Sequence, residues 1–148
     1  MSQGRVVVAV RDKDYVDELM KLGCQLAKGT EAEIVALSVS EIAPALPLDA
    51  ESDVLDQPAR EALERATRVA WESCGIKMGT RLVRAREAGP AIVDEAAEQH
   101  ADYLVLGYHG RHGILGEILL GSCVHYVATH APCRVVLEIM PRSAASAS

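Results

Sequence analysis

The order of elements along the chain predicts an α/β fold, an open, doubly wound sheet of five parallel strands with helices on both faces. The chain has 148 residues, the size of one domain. Apolar runs that suit strands alternate regularly with segments of helical periodicity, which is the pattern of a parallel sheet. The first run is apolar from Val6 to Val10, as expected of a strand buried on both faces.

Each strand is predicted from a short apolar run. The five runs, in chain order, are Arg5–Val10, Glu33–Val39, Thr80–Ala85, Asp102–Leu106 and Pro132–Ile139. We expect one domain over residues 1–140. Residues 141–148 are small and polar, so we expect a disordered tail.

Four helices are predicted between these strands. Asp14 is placed to cap the first helix and Gly29 to end it. Residues 40–58 contain three prolines and are predicted as a loop. The second helix follows and ends near Gly75. The third opens at Gly89-Pro90, where proline suits the first turn. The fourth ends near His130.

Composition excludes several classes of function. The net charge is −6, phenylalanine is absent, and tryptophan and tyrosine are few. A nucleic-acid binder needs a basic field and stacking aromatic side chains, and an anionic membrane also attracts basic surfaces. No run approaches the ~20 apolar residues of a membrane span, and the first residues do not resemble a signal peptide. We therefore expect a cytoplasmic protein that binds neither nucleic acid nor membranes.

The four cysteines do not form the dense framework of a small disulfide-stapled protein. They are Cys24, Cys74, Cys123 and Cys133. Their neighbours are apolar, so reduced thiols in the core are the expectation.

Glycine is concentrated after the fourth predicted strand. Five of the eleven glycines lie between residues 107 and 121. Glycine lets the backbone approach a ligand closely, and successive N–H groups can converge on an anion. Ser122 can cap the following helix, whose N-terminus favours phosphate, while His109, Arg111 and His112 add donors or positive charge. This pattern favours a phosphate-binding loop over a featureless surface loop. The dinucleotide-binding glycine pattern and the P-loop pattern are both absent.

At these residues the sequence resembles the universal stress protein family. The family's glycine motif is matched by Gly107-x-x-Gly110 and by Gly121-Ser122. The segment His130–Val135 is close to the family's His-Ala-Pro-Cys-Pro-Val phrase, and Asp102–Gly107 is similar to its fourth strand. The likeness covers nearly the whole chain. It implies a Rossmann-like fold of the universal stress protein type and places the chain in the nucleotide-binding branch.

The resemblance implies a site for ATP with Mg²⁺, or for another adenine nucleotide, and a role in stress response or signalling rather than catalysis. Gly107 and Gly110 would approach the ribose and phosphates, and Val39 would line the adenine pocket. Gly121, Ser122 and the Cys123 N–H would hold the triphosphate. The full set of expected contacts is Val10, Arg11, Asp12, Val39, Gly107, His109, Gly110, Arg111, Gly113, Gly121, Ser122 and Cys123. No catalytic or metal-ligating residue is expected.

The resemblance also implies a homodimer formed through the fifth strand, from Arg134 to Ile139. Two features depart from the family pattern. The spacer Arg111–Leu120 is one residue longer than usual, and Arg11 stands where the family usually has an aspartate, with Asp12 one step further on. Two alternatives therefore stay open: a dimeric protein–protein interaction module without nucleotide, and a weak ATPase.

Three other patterns have plainer interpretations. Cys123, His125, His130 and Cys133 match no common zinc spacing. His109 and His112 lack an accompanying nucleophile elbow. The basic run from Lys77 to Arg86 is interpreted as solvent-facing side chains of an edge strand, which positive charge protects from pairing.

Overall fold

The computed structural model describes residues 4–11, 15–49, 53–76, 78–109, 111–112, 118–119 and 122–140. Its main sheet has five parallel strands in the order β3-β2-β1-β4-β7, which confirms the predicted fold class. The strands are β1 (Arg5–Ala9), β2 (Glu33–Glu41), β3 (Gly79–Ala85), β4 (Tyr103–His109) and β7 (Arg134–Met140). A two-stranded antiparallel ribbon is formed by β5 (Arg111–His112) and β6 (Ile118–Leu119).

Helices cover both faces of this sheet. They are α1 (Val16–Thr30), α2 (Asp53–Val69) continued by the π turn Ala70–Cys74, α3 (Ala88–Glu98) and α4 (Ser122–His130). Side chains alternate across a strand, so Val6 and Val8 pack into the apolar cluster beneath α1 and α2, while Val7 packs into the cluster beneath α3 and α4. None of the described helices is long and apolar enough to cross a bilayer.

Helix α2 begins earlier than the sequence indicates. The predicted loop over residues 40–58 is wrong at both ends, because β2 continues to Glu41 and α2 starts at Asp53, with Pro58 inside it. A proline at this position removes the hydrogen bond to the carbonyl four residues earlier. That residue is Val54, which is 83% exposed, so water can satisfy its carbonyl in the first turn of the helix.

The basic side chains of β3 are engaged with neighbouring elements rather than facing solvent freely. Arg84 is half-buried and donates hydrogen bonds to both carboxylate oxygens of Asp56 on α2, lowering the pKa of that buried acid. Arg81 donates two hydrogen bonds to Glu95 of α3, at 2.9 and 3.2 Å. The prediction of an edge strand is confirmed. The solvent-facing interpretation is wrong for Arg84, which is half-buried against α2, whereas the Arg81 side chain remains 49% exposed while it bonds to Glu95.

Two of the cysteines form a disulfide. Cys24 of α1 and Cys74 of the π turn are bonded across 50 residues of sequence, with their Cα atoms 6.3 Å apart. Cys123 and Cys133 are free. The expectation of four reduced thiols is therefore wrong for Cys24 and Cys74, since the parallel packing of α1 and α2 brings together two residues that no local pattern connects.

Helix α1 approaches the sheet closely at Gly23. A Cβ atom built at this position would lie 2.6 Å from Cγ2 of Val8, so any larger residue forces the helix away from β1. The helix ends one residue later than the predicted end at Gly29. The helix runs to Thr30, and Glu31 takes the left-handed conformation at φ 55° while its N–H bonds the Ala27 carbonyl.

We predict that Gly23→Ala destabilises the protein by about 1–2 kcal/mol, because an overpacking cost of about 1–3 kcal/mol exceeds the gain in helix propensity of up to ~1 kcal/mol. Urea denaturation would measure the change. Gly29→Ala on the same helix is the matched control, since nothing lies within 4 Å of its added methyl. It should be neutral or slightly stabilising, and equal effects of the two substitutions would contradict the close approach.

Candidate functional site

Strands β1 and β4 separate at the carboxyl edge of the sheet. Their pairing ends at Val8 and Val105. Strand β1 stays paired with β2, since the Val10 N–H donates to the Leu37 carbonyl at 2.8 Å, and β4 stays paired with β7 as far as His109. Because β2 lies on one side of β1 and β4 on the other, this is the point where the strand order reverses. A crevice at such a switch point is where open α/β sheets bind ligands.

Several residues predicted for the site lie beyond the last β1–β4 pair. Val10 is buried and Arg11 is exposed at the end of β1. Gly107 lies two residues beyond the last paired residue of β4 and is half-buried. Val39 is half-buried on neighbouring β2, where it pairs with Val83. The structure therefore brings the ends of β1, β2 and β4 to one edge, as the sequence predicts.

The glycine-rich segment leads from this edge into α4. His109 is the last residue of β4, and Arg111 opposite Leu119 belongs to the antiparallel ribbon, so the chain returns on itself before the helix. Ser122 is exposed at the first position of α4, and Cys123 is half-buried behind it. The expected contacts Asp12, Gly110, Gly113 and Gly121 lie outside the described residues.

Two charged groups act on the Cys123 thiol at this edge. Burial raises the pKa of the Cys123 thiol, the carboxylate of Glu41 raises it further, and Arg11 opposes them. These opposing effects indicate that Arg11 after β1 and Glu41 at the end of β2 both lie within electrostatic reach of Cys123 at the start of α4. Arg11 and Cys123 are predicted site residues, and the structure brings them together.

Sequence reasoning missed Glu41. Its Oε2 atom accepts a hydrogen bond from the Ala88 N–H at 3.2 Å. Ala88 is the first residue of α3, where N–H groups have no partner within the helix, so the carboxylate acts as a cap supplied by a different element. A polar residue directly after an apolar parallel strand is the signal that could have identified it.

Glu138 of β7 lies beside the β4 wall of the crevice, in register with Gly107. Its Oε2 atom is buried and has no hydrogen-bond partner among the described residues. Burial raises the pKa of this carboxyl, and the charge of Glu18 on α1 adds to the effect. Sequence reasoning placed Glu138 only in the fifth strand.

Two further features of the structure concern metal binding and cavities. Among the described residues, no group of three or more histidine, cysteine, aspartate or glutamate side chains is arranged to hold a metal ion. A cavity of about 470 Å³ lies between β3 and α3, lined by residues that include Val83, Ala85 and Pro90. It is on the far side of β2 from the crevice, so it is a separate feature.

Comparison with known proteins identifies the family. The sequence pattern of the universal stress protein family matches residues 3–137. The chain belongs to the universal stress protein family. A universal stress protein of Methanocaldococcus jannaschii is 31% identical over 144 residues, which cover 93% of this chain and 83% of that protein.

Solved universal stress proteins share the fold. The protein of Archaeoglobus fulgidus in complex with dAMP has a TM-score of 0.71 at 23% identity, covering 93% of this chain and 98% of that one. A universal stress protein in complex with cAMP has a TM-score of 0.69 at 24% identity, covering 93% and 97%. At these identities the likeness establishes the architecture, in agreement with the strand order described above.

We predict that the charges of Arg11 and Glu41 shift the reactivity of Cys123 in opposite directions. Arg11→Gln removes a positive charge that favours the thiolate, so the Cys123 pKa should rise. Glu41→Gln removes a negative charge, so the pKa should fall. The pH dependence of iodoacetamide alkylation would measure both shifts. A Cys133→Ser background leaves Cys123 as the one free thiol among the four cysteines of the disulfide-bonded chain. The same pH midpoint in both variants would contradict the proximity of the three groups.

Proposed function

We propose that this universal stress protein binds an adenine nucleotide, ATP with Mg²⁺ in the first instance, in the crevice between β1 and β4. The separation of these strands beyond Val8 and Val105 carries the proposal. It opens the switch-point edge next to the glycine-rich segment and the N-terminus of α4, and open α/β sheets bind their ligands at such an edge.

The ligands bound to structural relatives support adenine as the base. Two of them are complexes with dAMP and with cAMP, which have adenine and a phosphate in common. In the proposed complex, Val10 and Val39 provide apolar surface for the base. Gly107, Gly110 and Gly113 let the backbone approach the ribose and phosphates. Gly121, Ser122 and the Cys123 N–H bind the phosphate chain. His109 and Arg111 also contact the phosphates.

Arg11 takes a role of its own in this proposal. It is exposed at the end of β1, close enough to Cys123 to influence that thiol, and therefore close to the start of α4. A guanidinium there can pair with a phosphate. Asp12 is the next residue in the chain. Glu41 is held as the cap of α3 by the Ala88 N–H.

We propose a binding protein of stress response or signalling in the cytoplasm rather than an enzyme. The described residues supply no nucleophile with an adjacent base at this edge, and Cys123 has its pKa raised, which makes the thiolate scarce. The bound nucleotide would then report on the state of the cell through the conformation of the loop rather than through turnover.

We predict that ATP with Mg²⁺ raises the melting temperature by about 5–10 °C at 100 times its Kd, since such occupancy adds about 2.7 kcal/mol. Arg11→Glu should weaken binding about tenfold by placing a negative charge beside the phosphates. Titration followed by differential scanning fluorimetry and calorimetry measures both effects. Arg68→Glu is the control, because Arg68 is exposed on α2, away from the crevice.

Parallel titrations with AMP, dAMP and GTP define the ligand, and EDTA defines the role of Mg²⁺. The absence of a shift with any adenine nucleotide at millimolar concentration would reject the proposal and favour a protein–protein interaction module. Phosphate release above a no-protein control, lost in Gly110→Asp, would instead favour a weak ATPase.

We further propose a homodimer formed through β7, the edge strand from Arg134 to Met140. An edge strand presents unpaired backbone groups that readily pair with another copy. Its central residues Val135, Val136 and Leu137 are only half-buried, and Ile139 is 41% exposed. An apolar strand left half-open on both faces is typical of a surface that a second subunit covers.

We predict that Ile139→Arg converts the dimer to a monomer, because two guanidinium groups would face each other across a two-fold interface. Light scattering coupled to size-exclusion chromatography measures the mass. Val54→Arg is the matched control, since Val54 is more exposed than Ile139 and lies on α2. A dimer that survives Ile139→Arg, or one that Val54→Arg disrupts, would contradict assembly through β7.

A further inference from the structure

We propose that Cys24 and Cys74 form a reversible thiol–disulfide exchange site whose partner is a low-molecular-weight thiol of the glutathione class. The two cysteines are bonded in the structure, with Cα atoms 6.3 Å apart, inside the range that a disulfide requires. The bond joins α1 to the π turn that continues α2. Neither cysteine belongs to the proposed nucleotide site or to β7, so the inference does not depend on those proposals.

The two ends of the bond differ in accessibility. Cys24 is 4% exposed and belongs to the apolar cluster beneath α1 and α2. Cys74 is half-buried at the end of the π turn. A solution thiolate can therefore reach Cys74, while Cys24 is shielded. Because access influences which sulfur is attacked in thiol–disulfide exchange, Cys74 is the attacked sulfur and Cys24 the resolving one.

The backbone around Cys74 is a local departure from the α-helix. Residues Ala70–Cys74 form a π turn, and Gly75 closes it in the left-handed conformation at φ 64°. Single π turns within α-helices occur frequently at functional sites. Here the π turn ends at Cys74 and so places the sulfur at the end of the helix, where it is bonded to Cys24 of α1.

The fold can accommodate both redox states because the bond is not the main contact between the helices. Near the start of α1, Asp17 accepts two hydrogen bonds from Arg65 of α2, each 2.8 Å long. Apolar side chains of α1 and α2 share one core cluster that includes Met20, Leu63 and Ala66. Two thiols left by reduction are small and apolar enough to remain in such surroundings.

The exchange balances with the partner thiol alone. In oxidation, the Cys74 thiolate attacks one sulfur of a glutathione disulfide, forms a mixed disulfide and expels one glutathione thiolate. The Cys24 thiolate then attacks the Cys74 sulfur, forms the internal bond and expels the second glutathione thiolate. The two protein thiols lose two electrons and two protons in all, and one disulfide becomes two thiols. Reduction is the reverse sequence.

The other two cysteines do not compete in this exchange. Cys123 and Cys133 pack against the cluster beneath α3 and α4, so the sheet separates them from Cys24 and Cys74. They also provide an internal standard, since they are free in the structure and burial raises the pKa of both thiols, so they should react little with glutathione and be alkylated in both redox states.

The test equilibrates the full-length protein across ratios of reduced to oxidised glutathione, followed by acid quenching, alkylation in denaturant and mass spectrometry. We expect two alkylated cysteines under oxidising conditions and four under reducing conditions, with a reversible transition between them. The melting temperature should be about 10 °C higher in the oxidised form, because the bond closes a loop of 50 residues.

Variants assign the change to this pair. Cys24→Ser should abolish the redox dependence of the melting temperature and leave Cys74 as a glutathione mixed disulfide, whereas Cys74→Ser should take up no glutathione at buried Cys24. A Cys123→Ser, Cys133→Ser variant should behave as the unmodified protein. Four alkylated cysteines at every ratio would overturn the proposal. So would a bond that persists in the folded protein in excess dithiothreitol, which would make it a permanent cross-link.

Discussion

Strand β1 is the constraint on which the rest of the molecule depends. Its residues Val6, Val7 and Val8 are fully buried, and it is paired on both sides, with β2 and with β4. The layer of α1 and α2 therefore packs against Val6 and Val8, and the layer of α3 and α4 packs against Val7 on the opposite face. The pairing of β1 with β2 continues beyond Val8, whereas the pairing of β1 with β4 ends at Val8 and β4 stays paired with β7. The crevice at the carboxyl edge is a direct consequence of this difference rather than of any particular loop.

Polar contacts fix the elements that form the walls of that crevice. Arg86 donates to the carbonyls of Ala43 and Leu46, each at 2.6 Å, and so holds the segment that follows β2. Glu41 connects the end of β2 to the start of α3, and Arg84 connects β3 to α2 through buried Asp56. Removing one partner of a buried ion pair is costly, about 3–5 kcal/mol. These contacts therefore position the edge even though none of them lies between β1 and β4.

The sequence was sufficient for the fold and for the edge of the sheet at which we propose the site, because both follow from local patterns. Apolar runs, helical periodicity and clustered glycines are each recognised from residues that are neighbours in the sequence. The disulfide between Cys24 and Cys74 and the pairing of Arg84 with Asp56 join residues 50 and 28 positions apart, so only tertiary packing brings them together. Pro58 was misassigned for the opposite reason. Its local signal is strong, but the exposed first turn of α2 lets water replace the hydrogen bond that proline removes.

The charge of the protein and the charge of its proposed ligand have the same sign, and the structure indicates which interactions must compensate. At the crevice edge Arg11 and Glu41 carry opposite charges and act on Cys123 in opposite directions, so Arg11 is not an unopposed positive charge there. An exposed ion pair contributes only about 0–1 kcal/mol, whereas a hydrogen bond to a charged group contributes about 1.5–3 kcal/mol. Two or three backbone N–H groups directed at a phosphate would therefore outweigh Arg11. Affinity would then be set by the path of the backbone between Gly107 and Ser122, which explains why glycines, rather than lysines and arginines, are concentrated there.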